Sequence, residues 1–238
     1  MRVTLEEPEA RRRARQVQSG AARAAVLGVS DGLVTNVSLI LGVAGAQASS
    51  KVVLLAGLAS LVAGACSMAV GEYVSIAAQV ELLQSLLADF REQMRKAPED
   101  AREEIESFFS KGGVLQATAH NASKQISLIP DHALAVYARS LGLDPEELGS
   151  PWRSAVSSLF TFAGGALVPL LPWFFLSGGS APALSLGLGA GAALAVGGVL
   201  GYLGGRNVIW SATRQLLVLC LAAAATWGAG KLFNVTVT

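Results

Sequence analysis

Five apolar stretches, each long enough to cross a bilayer, constrain this chain more than any other feature. They run from Ala24 to Ala46, Val52 to Ala77, Ala155 to Leu176, Ala181 to Leu203 and Ser211 to Leu232. About 20 apolar residues span the hydrocarbon core as a helix. Backbone polar groups in lipid must be satisfied internally, so helices are the economical solution. Hydrophobic residues make up 52% of the chain and charged residues 15%, well below the quarter typical of soluble domains. The expectation is an all-α membrane protein with five transmembrane helices and a helical cytoplasmic insertion between the second and third.

The segments divide as a polar N-terminal stretch (1–22), helices one and two (23–78), the insertion (79–153) and helices three to five (154–238). Short breaks, QASSK and LSGGSAP, make antiparallel hairpins of the first pair and of the third and fourth. Arginines set the orientation. With the N-terminus in the cytoplasm, Arg11, Arg12, Arg13, Arg15, Arg23, the insertion, Arg206 and Arg214 are inside, and only Lys51 and Lys231 are outside. The C-terminus then lies on the opposite side. A net charge of +1 points to no nucleic-acid partner. Cys66 and Cys220 lie in apolar runs and read as small hydrophobes.

The unusual residues sit in the first two helices. On a wheel of about 100° per residue, Asp31, Thr35, Ser38, Gly42 and Gly45 share one stripe. In the second helix Gly57, Gly64 and Gly71 repeat every seven residues as a small-residue face suited to close helix contact. Met68, Glu72, Ser75 and Gln79 flank it. Counting from the turn near Ala48 and Ser49, Asp31 and Met68 fall at nearly the same depth, with Glu72 one turn nearer the cytoplasm. An ionisable residue inside a membrane usually meets a cavity, a partner or an ion. Structural readings stand beside this one: Glu72 as the end of a span, Asp31 as the cap of a helix starting within Ser30-Asp31-Gly32, Met68 as packing.

Carboxylate oxygens alone suit magnesium or calcium, whereas a thioether shifts preference toward first-row transition metals. Asp31, Met68 and Glu72 are therefore the candidate metal residues. Carboxylates also exchange metal for protons, which makes antiport a natural mechanism. Gly28-Val29-Ser30-Asp31-Gly32 matches the G-x-S-x-G of serine hydrolases, but that elbow needs a preceding strand and a nearby histidine. A helix is expected here, and no enzyme.

SDGLVTNVSLILGVAGA (30–46), LLAGLASLVAGACSMAVGEYVSIAAQVEL (54–82), GLDPEELGSPW (142–152) and GALVPLLPWFF (165–175) resemble the vacuolar iron transporter family, most specifically in DGxxxN and SMAxGEY. The resemblance implies a five-helix homodimer in the bilayer that exports Fe2+, and often Mn2+, from the cytoplasm against protons. The metal is substrate, and no permanently bound cofactor is implied. The path implied runs between the first and second helices of both subunits, in keeping with the small-residue face. The family's path aspartate and methionine match Asp31 and Met68; Asn36 is read as structural, and Ser60 stands where some members carry a glutamate.

In the family the insertion's first helix extends from the second membrane helix and collects metal. Here it retains Glu92, and after Pro98, a helix-first-turn residue, Glu99, Glu103 and Glu106 share a face. These four are candidate cytoplasmic metal-binding residues, or else a solvated face paired with Arg102 and Lys111. Ile126, Leu128, Leu134 and Val136 read as packing positions against a neighbouring helix or subunit. The alternative to transport is a membrane scaffold or metal sensor of the same fold.

Overall fold

The computed structural model describes residues 20–143, 149–176 and 179–232. The N-terminal arginine cluster, apart from the backbone at Arg23, lies outside them. Eight helices follow one another: α1 (Gly20–Gly45), α2 (Ser50–Lys96), α3 (Pro98–Lys111), α4 (Gln116–Ser127), α5 (Pro130–Ser140), α6 (Pro151–Phe175), α7 (Ser180–Leu203) and α8 (Val208–Leu232). There is no strand among the described residues. Five helices, α1, α2, α6, α7 and α8, are long and apolar enough to cross a membrane, as expected. The chain divides into two compact units, one formed up to Tyr73 and from Pro151 onward, the other Val74–Ser150, with the division inside α2.

In the first unit α1 is the central element, and small residues bring its neighbours close. A Cβ on Gly32 would strike the Phe162 carbonyl of α6, and one on Gly165 of α6 would strike the Val29 carbonyl of α1. On another side of α1, Gly230 of α8 lies against the Gly42 carbonyl, and Gly42 and Gly45 face Thr226 and Trp227. Lipid offers no hydrophobic drive between helices, so such close backbone approach supplies the dispersion energy instead. The remaining space is filled by Leu33, Val37, Leu41, Ala193 and Leu219 in one cluster and by Ile40, Val53, Leu170, Trp173 and Ala181 in another.

Pro169 and Pro172 lie inside α6. Each removes a backbone donor, so the carbonyls four residues earlier lose their helical partner. Side chains from neighbouring helices brace the same stretch. Fully buried Asn36 donates through Nδ2 to the Ala166 carbonyl at 2.6 Å. Ser185 of α7 donates to the Pro169 carbonyl at 2.7 Å and accepts from Trp173 Nε1 at 2.7 Å. Asn36 thus has the structural role read from the sequence.

The second unit is held by Phe90, Ala101, Ile105, Ala133 and Leu134, with Ile126 and Val136 packed at its edge. Phe90 and Tyr137 stack with ring centroids 4.0 Å apart. Leu128, expected to pack, is 81% exposed, because it follows the last turn of α4 and points away from this core. Pro98 opens α3 with Glu99 and Asp100 in its first turn and Lys111 in its last, charges that complement the helix dipole.

Adjacent glycines of α6 test the close-approach account. Gly164 has open space around its Cβ position, whereas Gly165 does not. Gly165→Ala is expected to destabilise the folded protein by about 1–3 kcal/mol, the usual cost of overpacking, while Gly164→Ala leaves it unchanged or slightly stabler. Thermal unfolding of both variants in the same detergent measures the difference.

Candidate metal pathway in the membrane helices

Asp31 and Glu72 are the only acidic residues between Ala24 and Tyr73 or between Pro151 and Leu232, and Met68 is the only methionine in those segments. This exclusivity is a sequence signal stronger than helical spacing. A carboxylate surrounded by hydrocarbon costs at least ~2.5 kcal/mol, so its retention at just two positions marks where polar chemistry can occur.

Asp31 lies well inside α1, eleven residues after the helix begins at Gly20. It therefore caps no helix start, which removes that structural reading. The helical backbone around Gly28-Val29-Ser30-Asp31-Gly32 likewise excludes a nucleophile elbow. Asp31 is exposed, and Thr35 Oγ1 donates to its Oδ1 at 3.2 Å. Leu27, Asp31 and Thr35, one turn apart from each other, form the open strip of α1.

The polar stripe drawn on the wheel does not stay open along its length. Ser38 is only 8% exposed, and Gly42 and Gly45 are pressed onto Thr226 and Trp227 of α8. Its first half is accessible; its second half is a helix contact. The seven-residue glycine face of α2 also needs correction. Gly57 receives the Leu170 side chain and Gly64 the Phe162 ring, both from α6 of the same chain, and of the three only Gly71 is open. The face is thus largely occupied within the chain. The side of α2 left exposed instead carries Val52, Leu55, Ala59, Val62, Cys66, Ser67 and Val70.

Met68 is half-buried and packs against the cluster of Ala65, Phe162 and Ala166. Phe162 is a common landmark for both helices: its carbonyl abuts Gly32, next to Asp31, and its ring abuts Gly64, one turn from Met68. Glu72, one turn further along α2, is half-buried, as is Ser60. Among the described residues of one chain, no three His, Cys, Asp or Glu side chains form a metal-binding group.

Three of the four candidate carboxylates of the second unit, Glu92, Glu99 and Glu106, are engaged with bases. Glu92 contacts Arg95 at 2.8 Å and Lys96 at 2.9 Å. Hydrogen bonding from Arg95, then Lys96, holds its carboxyl below the usual range. Arg102 binds Glu99 at 2.6 Å and Glu106 at 3.1 Å, and the Glu99 bond raises the guanidinium pKa further. His120 Nδ1, from α4, lies 2.9 Å from Glu106 and 3.0 Å from Arg102. Glu103 is exposed on the same helix. Arg102 is therefore the pairing partner expected from sequence, while His120 is a participant that two isolated histidines in a sequence do not announce. Its contact joins α3 to α4 and exists only once they fold together.

Fold and site together define an integral, multi-pass membrane protein with two carboxylates and one thioether embedded in its first two spans. The chain belongs to the VIT family, whose model matches residues 22–231. It is 37% identical over 219 residues to vacuolar iron transporter homolog 1 of Oryza sativa subsp. japonica, covering 89% of this chain and 73% of the relative. It is 34% identical over 221 residues to the vacuolar iron transporter of Acanthamoeba castellanii (90% and 79% covered). With vacuolar iron transporter 1 of Oryza sativa subsp. japonica it shares 31% over 211 residues (88% and 84%).

Two outcomes follow for the second unit. Arg102→Gln removes the ion pairs to Glu99 and Glu106 and is expected to tighten Mn2+ binding to the full-length protein by a few-fold; electron paramagnetic resonance of free Mn2+ measures it. Because the Glu92 carboxyl is depressed in the folded state, its contribution is complete above the unfolded value of about 4.3 and is lost as pH falls through the lower folded value. Thermal unfolding of the native protein and Glu92→Gln should differ at neutral pH and converge in acid.

Proposed function

We propose that the protein is a transporter, not an enzyme, that carries Fe2+, and also Mn2+, out of the cytoplasm in exchange for protons. In this reading the N-terminus and the inserted unit are cytoplasmic and the C-terminus lies across the membrane. Two copies meet along α1 and the exposed side of α2, and the ion passes between them. The observation that carries the reading is the accessible Asp31 on one helix and half-buried Met68 on the next, both beside Phe162. The names of the relatives point to the same cargo.

The chemistry follows from the donors. Asp31 supplies a hard anionic oxygen and Met68 a soft neutral sulfur, a set that favours Fe2+ or Mn2+ over Mg2+ or Ca2+. Doubling the set across a two-fold axis gives two oxygens and two sulfurs, few enough that the ion keeps water and can leave again. Thr35 positions the Asp31 carboxylate by its hydrogen bond. Exchange of the metal for protons resets the site and couples the two flows. Glu72 is placed to receive the ion one turn away.

The second reading, a scaffold or sensor of this fold, is favoured by one observation: of the four candidate cytoplasmic metal residues, Glu92, Glu99 and Glu106 are paired with bases. Flux decides between them. Proteoliposomes of the native protein should take up Fe2+ with opposing proton movement. Asp31→Ala and Met68→Ala should each reduce the rate about ten- to a hundredfold, the loss of roughly 1.5–3 kcal/mol of liganding. Native flux at the level of empty vesicles overturns the transporter reading and leaves the scaffold.

A further inference from the structure

A cavity of about 330 Å³ opens between α1, α7 and α8, on a side of α1 other than the strip that carries Asp31. Its walls include Leu41, Leu186, Cys220, Ala223, Ala224 and Trp227, and the lone thiol of Cys220 among apolar neighbours makes no metal site. The three helices are all of membrane-spanning length, so the cavity faces hydrocarbon along its sides.

One end is chemically different. Trp227 lines the cavity, and one turn further along α8 the Lys231 ammonium lies 5.5 Å from the centre of its ring. That contact holds the cation at the end of the span, where α8 stops at Leu232 and α7 has just begun at Ser180. A tryptophan and a lysine at a helix end are the usual markers of the headgroup level. The cavity therefore runs from the apolar interior to a fixed positive charge at the membrane surface. The apolar walls suit an alkyl chain, and the lysine at the rim suits an anionic group.

We propose that this groove is a phospholipid site: one acyl chain lies against Leu41, Leu186 and Ala224, and an anionic headgroup pairs with Lys231. Trp227 serves both parts, as a wall for the chain and as the platform that positions the lysine. Gly45 leaves room for the indole, since a Cβ there would sit 3.3 Å from the ring. The chemistry selects an anionic lipid over a zwitterionic one, because the choline of phosphatidylcholine places a second cation beside Lys231.

Photolabelling of the full-length protein tests it. The protein is reconstituted in phosphatidylcholine bilayers containing acyl-chain photoactivatable phosphatidylglycerol or, separately, phosphatidylcholine of the same chain. Labels should concentrate on Leu41, Leu186 and Ala224, with phosphatidylglycerol favoured about fivefold, the effect of one lysine near a membrane surface. Ala224 is exposed, so Ala224→Trp should fill the groove without unfolding the protein and abolish those labels, while exposed Leu217 and Leu221 stay labelled. Lys231→Gln should keep the chain labels and bring the two lipids to parity. Even labelling across Leu217, Leu221 and the groove, or a headgroup preference unchanged in Lys231→Gln, overturns the proposal.

Discussion

Removing a carboxylate from water is the constraint on which the rest of the structure depends. The membrane helices tolerate that cost twice, at Asp31 and Glu72, and spend no other acid. Three features keep Asp31 accessible: a helix that is unbroken through Ser30-Asp31-Gly32, a threonine one turn later that donates to it, and a strip on α1 left open among the described residues. Another face of α1 is fully buried, with Leu33, Asn36 and Val37 at 0% exposure. The contrast between those faces leaves the carboxylate accessible while its helix is held by its neighbours.

Holding α1 rigid requires tight neighbours, and the molecule obtains them with glycine rather than with large side chains. Gly32 and Gly165 let α1 and α6 approach to backbone contact, and Gly42 and Gly230 do the same for α1 and α8. Polar side chains then fix register. Asn36 reaches the Ala166 carbonyl, and Ser185 links Trp173 to the Pro169 carbonyl beside two prolines that interrupt the helical ladder. Each such bond is worth about 0.6 kcal/mol on average in a membrane, a modest sum whose larger effect is to select one helix register.

Much of this was legible in the sequence because it depends on local pattern. Apolar length announced the five spans, and Pro98 announced the start of α3. Facing direction was harder. The row Gly57, Gly64 and Gly71 reads equally well as a surface for a second copy or for a helix of the same chain; Leu170 and Phe162, about a hundred residues away, take the first two positions. The Gly42 and Gly45 end of the polar stripe was likewise claimed by α8, whose approach no local period encodes. In the inserted unit the alternatives for Glu99 and Glu106 were visible, but the His120 contact that ties them to α4 arises from tertiary folding alone.

The central claim is that Asp31 and Met68 of two copies together make a temporary berth for a transition-metal ion. Anomalous scattering from crystals of the full-length protein soaked in Co2+ addresses it most directly. The account predicts a peak on the two-fold axis, within ligand distance of both Asp31 carboxylates and both Met68 sulfurs, that disappears in Asp31→Asn. Metal bound only at the inserted unit, with Asp31 and Met68 facing lipid in the assembled protein, would contradict it.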